Sequence, residues 1–336
     1  MTPSKTIEIG LNTVTSRAVE WLWPNRIPSA KLTILMGDPG AGKSFVSMDM
    51  AARVSVGKPW PSGEPCEAGK VVILGQEDDL DDTVKPRIEV LGGDPKNIIY
   101  IMGISRAHGG SEYPDLLTDL GALRDSIEGH GARLVIIDPL SAYMSGVDCY
   151  KDAEVRRVLT PVTRLAKESS CAVVGIMHMN KRDEGSVVYR AQGSIGFMGV
   201  ARMVYLVGVD KEDKETRHMV PVKSNIRHNK TGLSYRLVDV KHPLGWDVAK
   251  VEWIGESDIT PEEITGPMPT DEEMAALGAT EEFLSGLLER NGGKLSQDTI
   301  EKHGRAKGFN VKMLQAAKRR LKVKAVRGPD FWEWSL

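Results

Sequence analysis

Residues 37–44 read Gly37-Asp38-Pro39-Gly40-Ala41-Gly42-Lys43-Ser44. The spacing fits G-x-x-x-x-G-K-[ST], and so do its surroundings. An apolar run at 32–36 precedes it, as a buried strand would. A helical pattern follows, with Phe45, Met48, Met50, Ala51 and Val54 at its apolar positions. Glycines let successive backbone N–H groups line one concavity for phosphate oxygens, and the new helix adds the positive end of its dipole. Lys43 can reach the β- and γ-phosphates, and the Ser44 hydroxyl can ligate Mg²⁺. The loop specifies a nucleotide without saying what the nucleotide is used for.

The rest of the chain extends this beginning. Apolar strand candidates lie at 71–74, 98–102, 134–137, 172–176, 203–207 and 219–222, with helical patterns between many of them, as at 113–128 and 153–168. Continuous Val/Ile-rich runs alternating with helices predict an α/β fold whose mostly parallel sheet is covered on both faces. Residues 234–240 and 250–254 alternate more and predict an antiparallel extension. The large domain is expected over 1–255. Residues 256–280, rich in acids and holding Pro261, Pro267 and Pro269, read as a linker. Three short helical patterns at 281–288, 299–307 and 311–321 and a terminal hairpin then predict a small winged helix-turn-helix-like α/β module over 281–336.

Charge separates the two parts. Residues 290–327 hold 12 Lys+Arg and 2 acids, so against a chain total of −2 the remaining residues carry −12. A basic block on an acidic protein points to a polyanion partner for that block, or to a solvated helix face. No run of 18 apolar residues predicts a membrane span, and residues 1–10 lack the layout of a signal peptide. Cys66, Cys149 and Cys171 are far apart in sequence and form no C-x-x-C pair, which favours a reducing cytoplasm and disfavours a zinc site.

A phosphate loop needs companions before it hydrolyses ATP: an acid supporting the metal, a residue orienting water, and a group stabilising charge in the transition state. Asp138 ends the run Leu134-Val-Ile-Ile-Asp138 and is the candidate metal-supporting acid, delivered at a strand's C-terminal end. Glu77, in Gly75-Gln-Glu-Asp-Asp79, is the candidate for orienting water, with Asp78 or Asp79 able to cap the following helix. His178, after the run 172–176, is placed like a polar sensor of the γ-phosphate. The segment 181–196 carries Lys181, Arg182 and Arg190 among glycines and could grip a nucleic-acid backbone. Arg202 opens one strand and Lys223 follows another. Each is a candidate for reaching a neighbouring subunit's ATP, or a cation snorkelling at a strand end.

Together these residues resemble the RecA-like ATPases and, within them, the plasmid RepA-type replicative helicases and related phage and bacterial ATPases. The resemblance runs over most of residues 19–254. It rests on the segment 19–28, the phosphate loop with its Asp-Pro-Gly, Gly75-Gln-Glu-Asp-Asp79, Ile137-Asp138-Pro-Leu, His178-Met-Asn-Lys181, the stretch from Gly193 ending at Arg202, and Val222-Lys223-Ser-Asn225. It implies a RecA-like core, Mg²⁺-dependent ATP hydrolysis, a ring usually of six subunits with ATP between neighbours, and DNA, most often single-stranded, in the central channel. On that pattern Glu77 activates water, Asp138 supports the metal, His178 is the sensor, and Arg202 and Lys223 point across a subunit interface. Plasmid RepA proteins are shorter. The basic module after residue 280 looks instead like the terminal helix-turn-helix of phage and prophage-borne relatives. Lys318, Arg319 and Arg320 near the end of its last helix are its candidate DNA contacts. An ATP-dependent loader, recombination mediator or regulator shares the same ATP chemistry, and the module could equally dock a replication initiator or primase. A cytoplasmic setting, in a bacterium or phage-infected cell, follows from the same resemblance.

Overall fold

The computed structural model describes residues 6, 8–106, 110–179, 195–226, 231–267, 270–321, 323–327 and 332–336. The chain divides into two compact units, Met1–Thr265 and Gly266–Leu336.

The larger unit opens with a small pair of strands, β1 (Trp21–Trp23) and β2 (Ile27–Pro28). Next come β3 (Leu32–Gly37), α1 (Lys43–Val56), β4 (Lys70–Gly75) and, after a π-helical turn at Leu80–Val84, α2 (Lys85–Val90). Then follow β5 (Ile98–Ile101), a short hairpin of β6 (Ile104–Ser105) and β7 (Ser111–Glu112), α3 (Leu120–His130), β8 (Ala132–Asp138), α4 (Asp152–Glu168) and β9 (Ala172–His178). The unit ends with α5 (Ile195–Val200), β10 (Met203–Val209), β11 (Thr216–Ser224), β12 (Gly232–Lys241), β13 (Asp247–Ser257) and α6 (Pro261–Thr265).

Nine strands form one sheet in the order β13-β12-β11-β10-β3-β9-β8-β4-β5. From β10 to β5 all pairings are parallel, and β11 to β13 extend the sheet antiparallel. The unbroken apolar runs have the reason expected of them, since both faces are covered. Along β8, Val135 and Ile137 enter the core beneath α3 and α4, while Leu134 and Ile136 enter the core beneath α1 and α2. This is the mostly parallel α/β sheet that the strand and helix pattern predicts, and it is consistent with the RecA-like P-loop NTPase core that the resemblance implies. Among the described residues no helix is long and apolar enough to cross a membrane.

Two expectations shift. The helix expected from residue 113 begins only at Leu120. Asp115 accepts the amide of Leu117 at 2.7 Å and Asp119 that of Asp115 at 2.8 Å, so side chains take backbone donors that a helix would have used. The linker expected over 256–280 is largely structured. Residues 256 and 257 end β13, α6 follows, and the boundary between units falls after Thr265. A long helix, α7 (Asp271–Arg290), starts ten residues before the expected domain start. Its acids are a helix start: Thr270 and Glu273 form a reciprocal capping box, with Asp271 and Glu272 in the first turn.

The smaller unit continues with β14 (Lys294–Ser296), α8 (Gln297–Ala306), α9 (Val311–Arg320), β15 (Lys324–Arg327) and β16 (Trp332–Ser335). Its sheet order is β14-β16-β15, and Leu284, Leu288, Ile300, Leu314, Ala317 and Trp334 form its own core. Three helices and a three-stranded sheet in this order are a winged helix-turn-helix.

Candidate active site

The phosphate loop joins the fully buried β3 to α1. A Cβ at Gly37 would lie 2.1 Å from the Val207 carbonyl oxygen, and Gly42 holds φ +99°, so both positions demand glycine. Gly42 caps α1 without a side-chain hydrogen bond, which leaves the first amides of the helix for an anion. The loop is braced from behind by Tyr235 on β12, whose hydroxyl donates to the Ala41 carbonyl at 3.1 Å. Sequence reasoning missed this brace, because nothing local marks a tyrosine 194 residues away in sequence.

Four adjacent strands converge beside the loop. Gly37 at the end of β3 pairs with His178 at the end of β9, and Gly75 at the end of β4 pairs with Asp138 at the end of β8. Lys43 is buried, its ammonium donating to the carbonyls of Gly37 at 3.0 Å and Asp38 at 2.9 Å and lying 3.2 Å from His178 Nδ1. Burial lowers the Lys43 pKa, opposed by the negative charges of Asp138, Asp38 and Glu77. An ammonium has only donors, so Nδ1 accepts and neutral His178 carries its proton on Nε2, 3.8 Å from a Glu77 carboxylate oxygen. Burial and the neighbouring Lys43 charge both hold the His178 pKa down, which keeps that acceptor available.

The three acids after β4 are sorted by their partners. Asp78 pairs with Arg87 at 2.8 Å, and that guanidinium lies 4.3 Å from the centre of the Phe45 ring. Asp79 takes the N-cap position of the π-helical turn. Glu77 faces His178 and is felt electrostatically by Lys43, Asp138 and His178.

Asp138 is 8% exposed, and its Oδ1 is buried without a hydrogen-bond partner among the described residues. Burial pushes its carboxyl up to about 6; hydrogen bonding from Ser44 pulls the other way, and Glu77 adds to the rise. An unsatisfied buried carboxylate oxygen beside a serine hydroxyl suits Mg²⁺, a hard cation that takes oxygen ligands. Among the described residues no three His, Cys, Asp or Glu side chains converge on a metal cage. Ser44 and Asp138 would thus share the ion with phosphate and water, as Mg²⁺ prefers. When bound, the ion would neutralise charge on the phosphate oxygens.

The burial of Asp138 gives a measurable cost. The folded pKa is raised from 3.8 to about 6, so the ionised carboxylate destabilises the empty protein wherever pH exceeds the unfolded value. Asp138→Asn is expected to stabilise the empty protein by roughly 3 kcal/mol at pH 7.5, an order-of-magnitude figure from about 2 pKa units, while abolishing hydrolysis. The gain should shrink as pH falls through 6 and vanish near 4. Denaturant unfolding at several pH values checks it, and a destabilised or pH-independent variant would refute it.

Arg202 and Lys223 lie at the other end of the sheet. The Arg202 amide donates to the Leu32 carbonyl, where β3 begins, and Lys223 pairs with Val204. The phosphate loop starts five residues further along β3, about 17 Å away at strand rise. Arg202 is exposed. Lys223 donates to the carbonyls of Met198 and, at 3.0 Å, Ala201, closing the C-terminal end of α5. Burial lowers its pKa, and the charges of Arg202 and Arg156 lower it further. Arg156, on α4, packs where a Cβ at Gly199 would strike its guanidinium. It is a third cation of this cluster that sequence reasoning missed, since it reads as one polar position of an amphipathic helix. Lys181, Arg182 and Arg190 lie outside the described residues. In the smaller unit, Lys318 sits 5.1 Å from the centre of the Trp334 ring, Arg320 pairs with Glu281 at 2.7 Å, and Arg319 is half-buried. Cys66 and Cys171 are buried free thiols whose pKa values burial pushes up to about 11 and about 12.

The sequence model described as an AAA domain matches residues 2–184, more than half of the chain. The match takes in the phosphate loop, Glu77, Asp138 and His178 and ends before Arg202. No curated protein matches the chain.

Proposed function

The chain belongs to the AAA domain family of P-loop ATPases, and on that premise we propose that it is a motor on single-stranded DNA, working as a ring of about six copies like the RepA-type helicases it resembles. The observation that carries this reading is the position of His178. Its ring lies between Lys43 and Glu77, and three residues later begins the basic segment with Lys181, Arg182 and Arg190. A change at the γ-phosphate therefore reaches the start of the segment suited to a DNA backbone through a single side chain.

The chain's own residues divide the work. Loop amides and Lys43 bind the β- and γ-phosphates, and to do so the ammonium exchanges its contacts with His178 and two carbonyls for phosphate oxygens. Glu77 orients the attacking water and accepts its proton. The water oxygen bonds to the γ-phosphorus as the bond to the β-bridging oxygen breaks, giving ADP and inorganic phosphate. The exposed Arg202 is suited to a neighbour's γ-phosphate, because its own loop is a sheet-length away. Lys223, with Arg156, supports that positive cluster.

ATP hydrolysis with and without single-stranded DNA, with mass measured by light scattering in the same buffer, tests the reading. Stimulation by DNA in a species near six protomers is expected. Hydrolysis indifferent to DNA, or a persistent monomer, would overturn the motor and favour a regulator whose ATPase controls assembly.

A further inference from the structure

The basic block of residues 290–327 has a shape as well as a charge. In the smaller unit the charges are unevenly divided among the elements. α7 carries Asp271, Glu272, Glu273, Glu281, Glu282 and Glu289 against a single Arg290. The cations gather on α8, α9 and the sheet. α8 and α9 cross closely: Gly304 lies where any Cβ would meet Leu314 at 2.6 Å. A four-residue turn joins them, and Asn310 caps α9 by accepting the amide of Met313. Two helices joined in this way, followed by a β-hairpin, are the geometry that presents a second helix to a DNA groove.

The basic side chains fall into two groups. Lys318 and Arg320 are turned onto the unit itself, one over the Trp334 ring and the other against Glu281. Lys302, Arg305, Lys307 and Lys324 are exposed, with Arg305 3.5 Å from Glu301. On α8 the buried positions are Ile300 and Gly304. Lys302 lies between them, about half a turn away, and so faces outward. Lys307 stands in the turn between the helices.

We infer that the C-terminal unit binds duplex DNA, with Lys302 and Lys307 on backbone phosphates and α9 presented to the major groove, while Lys318 and Arg320 hold the unit's own fold. Two observations favour duplex DNA over a protein partner. Cations outnumber acids by 12 to 2 over residues 290–327, the excess a polyphosphate requires. Among the described residues of the unit, the exposed large apolar side chains are Met274 and Leu336, and neither lies on α8 or α9. A protein-docking face would be expected to hold aromatic or aliphatic anchors. The inference shares with the proposed function only the premise that DNA is the polyanion, and needs no ATP chemistry.

The test is duplex binding by the full chain without nucleotide, read by fluorescence anisotropy across a salt series. The Lys302→Ala/Lys307→Ala double variant changes only exposed side chains, and its salt dependence is expected to flatten by about 1.8 in log–log slope, about 0.9 for each phosphate no longer neutralised. Arg320→Ala should keep the wild-type slope and lower the melting temperature. An unchanged slope in the double variant, or a flattened slope in Arg320→Ala alone, would overturn the assignment. So would a wild-type chain that fails to bind duplex at low salt. Stimulation of wild-type ATPase by single-stranded DNA, measured in parallel, separates the two ideas. Its absence with duplex binding intact removes the motor and leaves this inference standing.

Discussion

Alanine at Arg202 is expected to lower ATP turnover by roughly 10³–10⁵-fold, the range for an arginine that stabilises transferring phosphate from a neighbour, with little change in stability. The side chain is exposed, so its removal leaves no buried group unpaired. Its place at the start of β10, beside the beginning of β3, puts it at the wrong end of the sheet for its own phosphate loop. The loss must then act on a neighbouring site, and mixing decides this. Arg202→Ala and Lys43→Ala are each expected to be inactive alone. Mixed before assembly, they should regain activity, because some sites draw Lys43 from one chain and Arg202 from another. Two dead variants that stay dead when mixed would remove the shared site. Lys223→Ala serves as the contrast. Its ammonium satisfies the carbonyls of Met198 and Ala201, so its removal should lower the melting temperature as well as turnover.

Much of this site is legible in the sequence because it is built from strand ends. A continuous apolar run names a buried strand, and the residue that stops it lies at the strand's C-terminal end. Asp138, Gly75 and His178 are found in this way, and strand register brings them beside Gly37. Local pattern fails where the deciding contact is distant. Tyr235 braces Ala41 across the sheet, and Trp253 donates to Asp49 of α1 at 2.8 Å. Neither residue carries a sign of that role in its own neighbourhood. The acidic, proline-bearing stretch before residue 281 reads as a linker by composition, yet its acids start a helix. The choice of Lys318 and Arg320 as DNA contacts follows from charge alone. Glu281 and Trp334, which engage them, lie far off in sequence. Charge density shows where the cations gather, but the contacts that Lys318 and Arg320 make within the unit depend on residues distant in sequence.

The second large effect concerns Glu77, where sequence leaves three adjacent acids and packing separates them. Asp78 is held by Arg87, which is itself stacked on Phe45, and Asp79 occupies the N-cap position of the following turn. The Glu77 side chain is 59% exposed and faces the His178 ring at 3.8 Å, with no lysine or arginine ion pair among the described residues. On the proposed mechanism this carboxylate orients the attacking water and takes its proton. Glu77→Gln keeps the shape and the acceptor oxygen but removes the basicity. Turnover is expected to fall roughly 10²–10⁴-fold, the range for a general base. Nucleotide binding should persist, because Lys43 and the loop amides are untouched. Single-turnover hydrolysis with a fluorescent-nucleotide titration on the same preparation reads both quantities. Asp78→Asn is expected to act differently, weakening nucleotide binding through loss of the Arg87 pair beside Phe45 while chemistry proceeds. If Asp78→Asn abolished the chemical step and Glu77→Gln spared it, the base would be Asp78. That outcome would also count against the proposed route from the γ-phosphate through His178 to the basic segment.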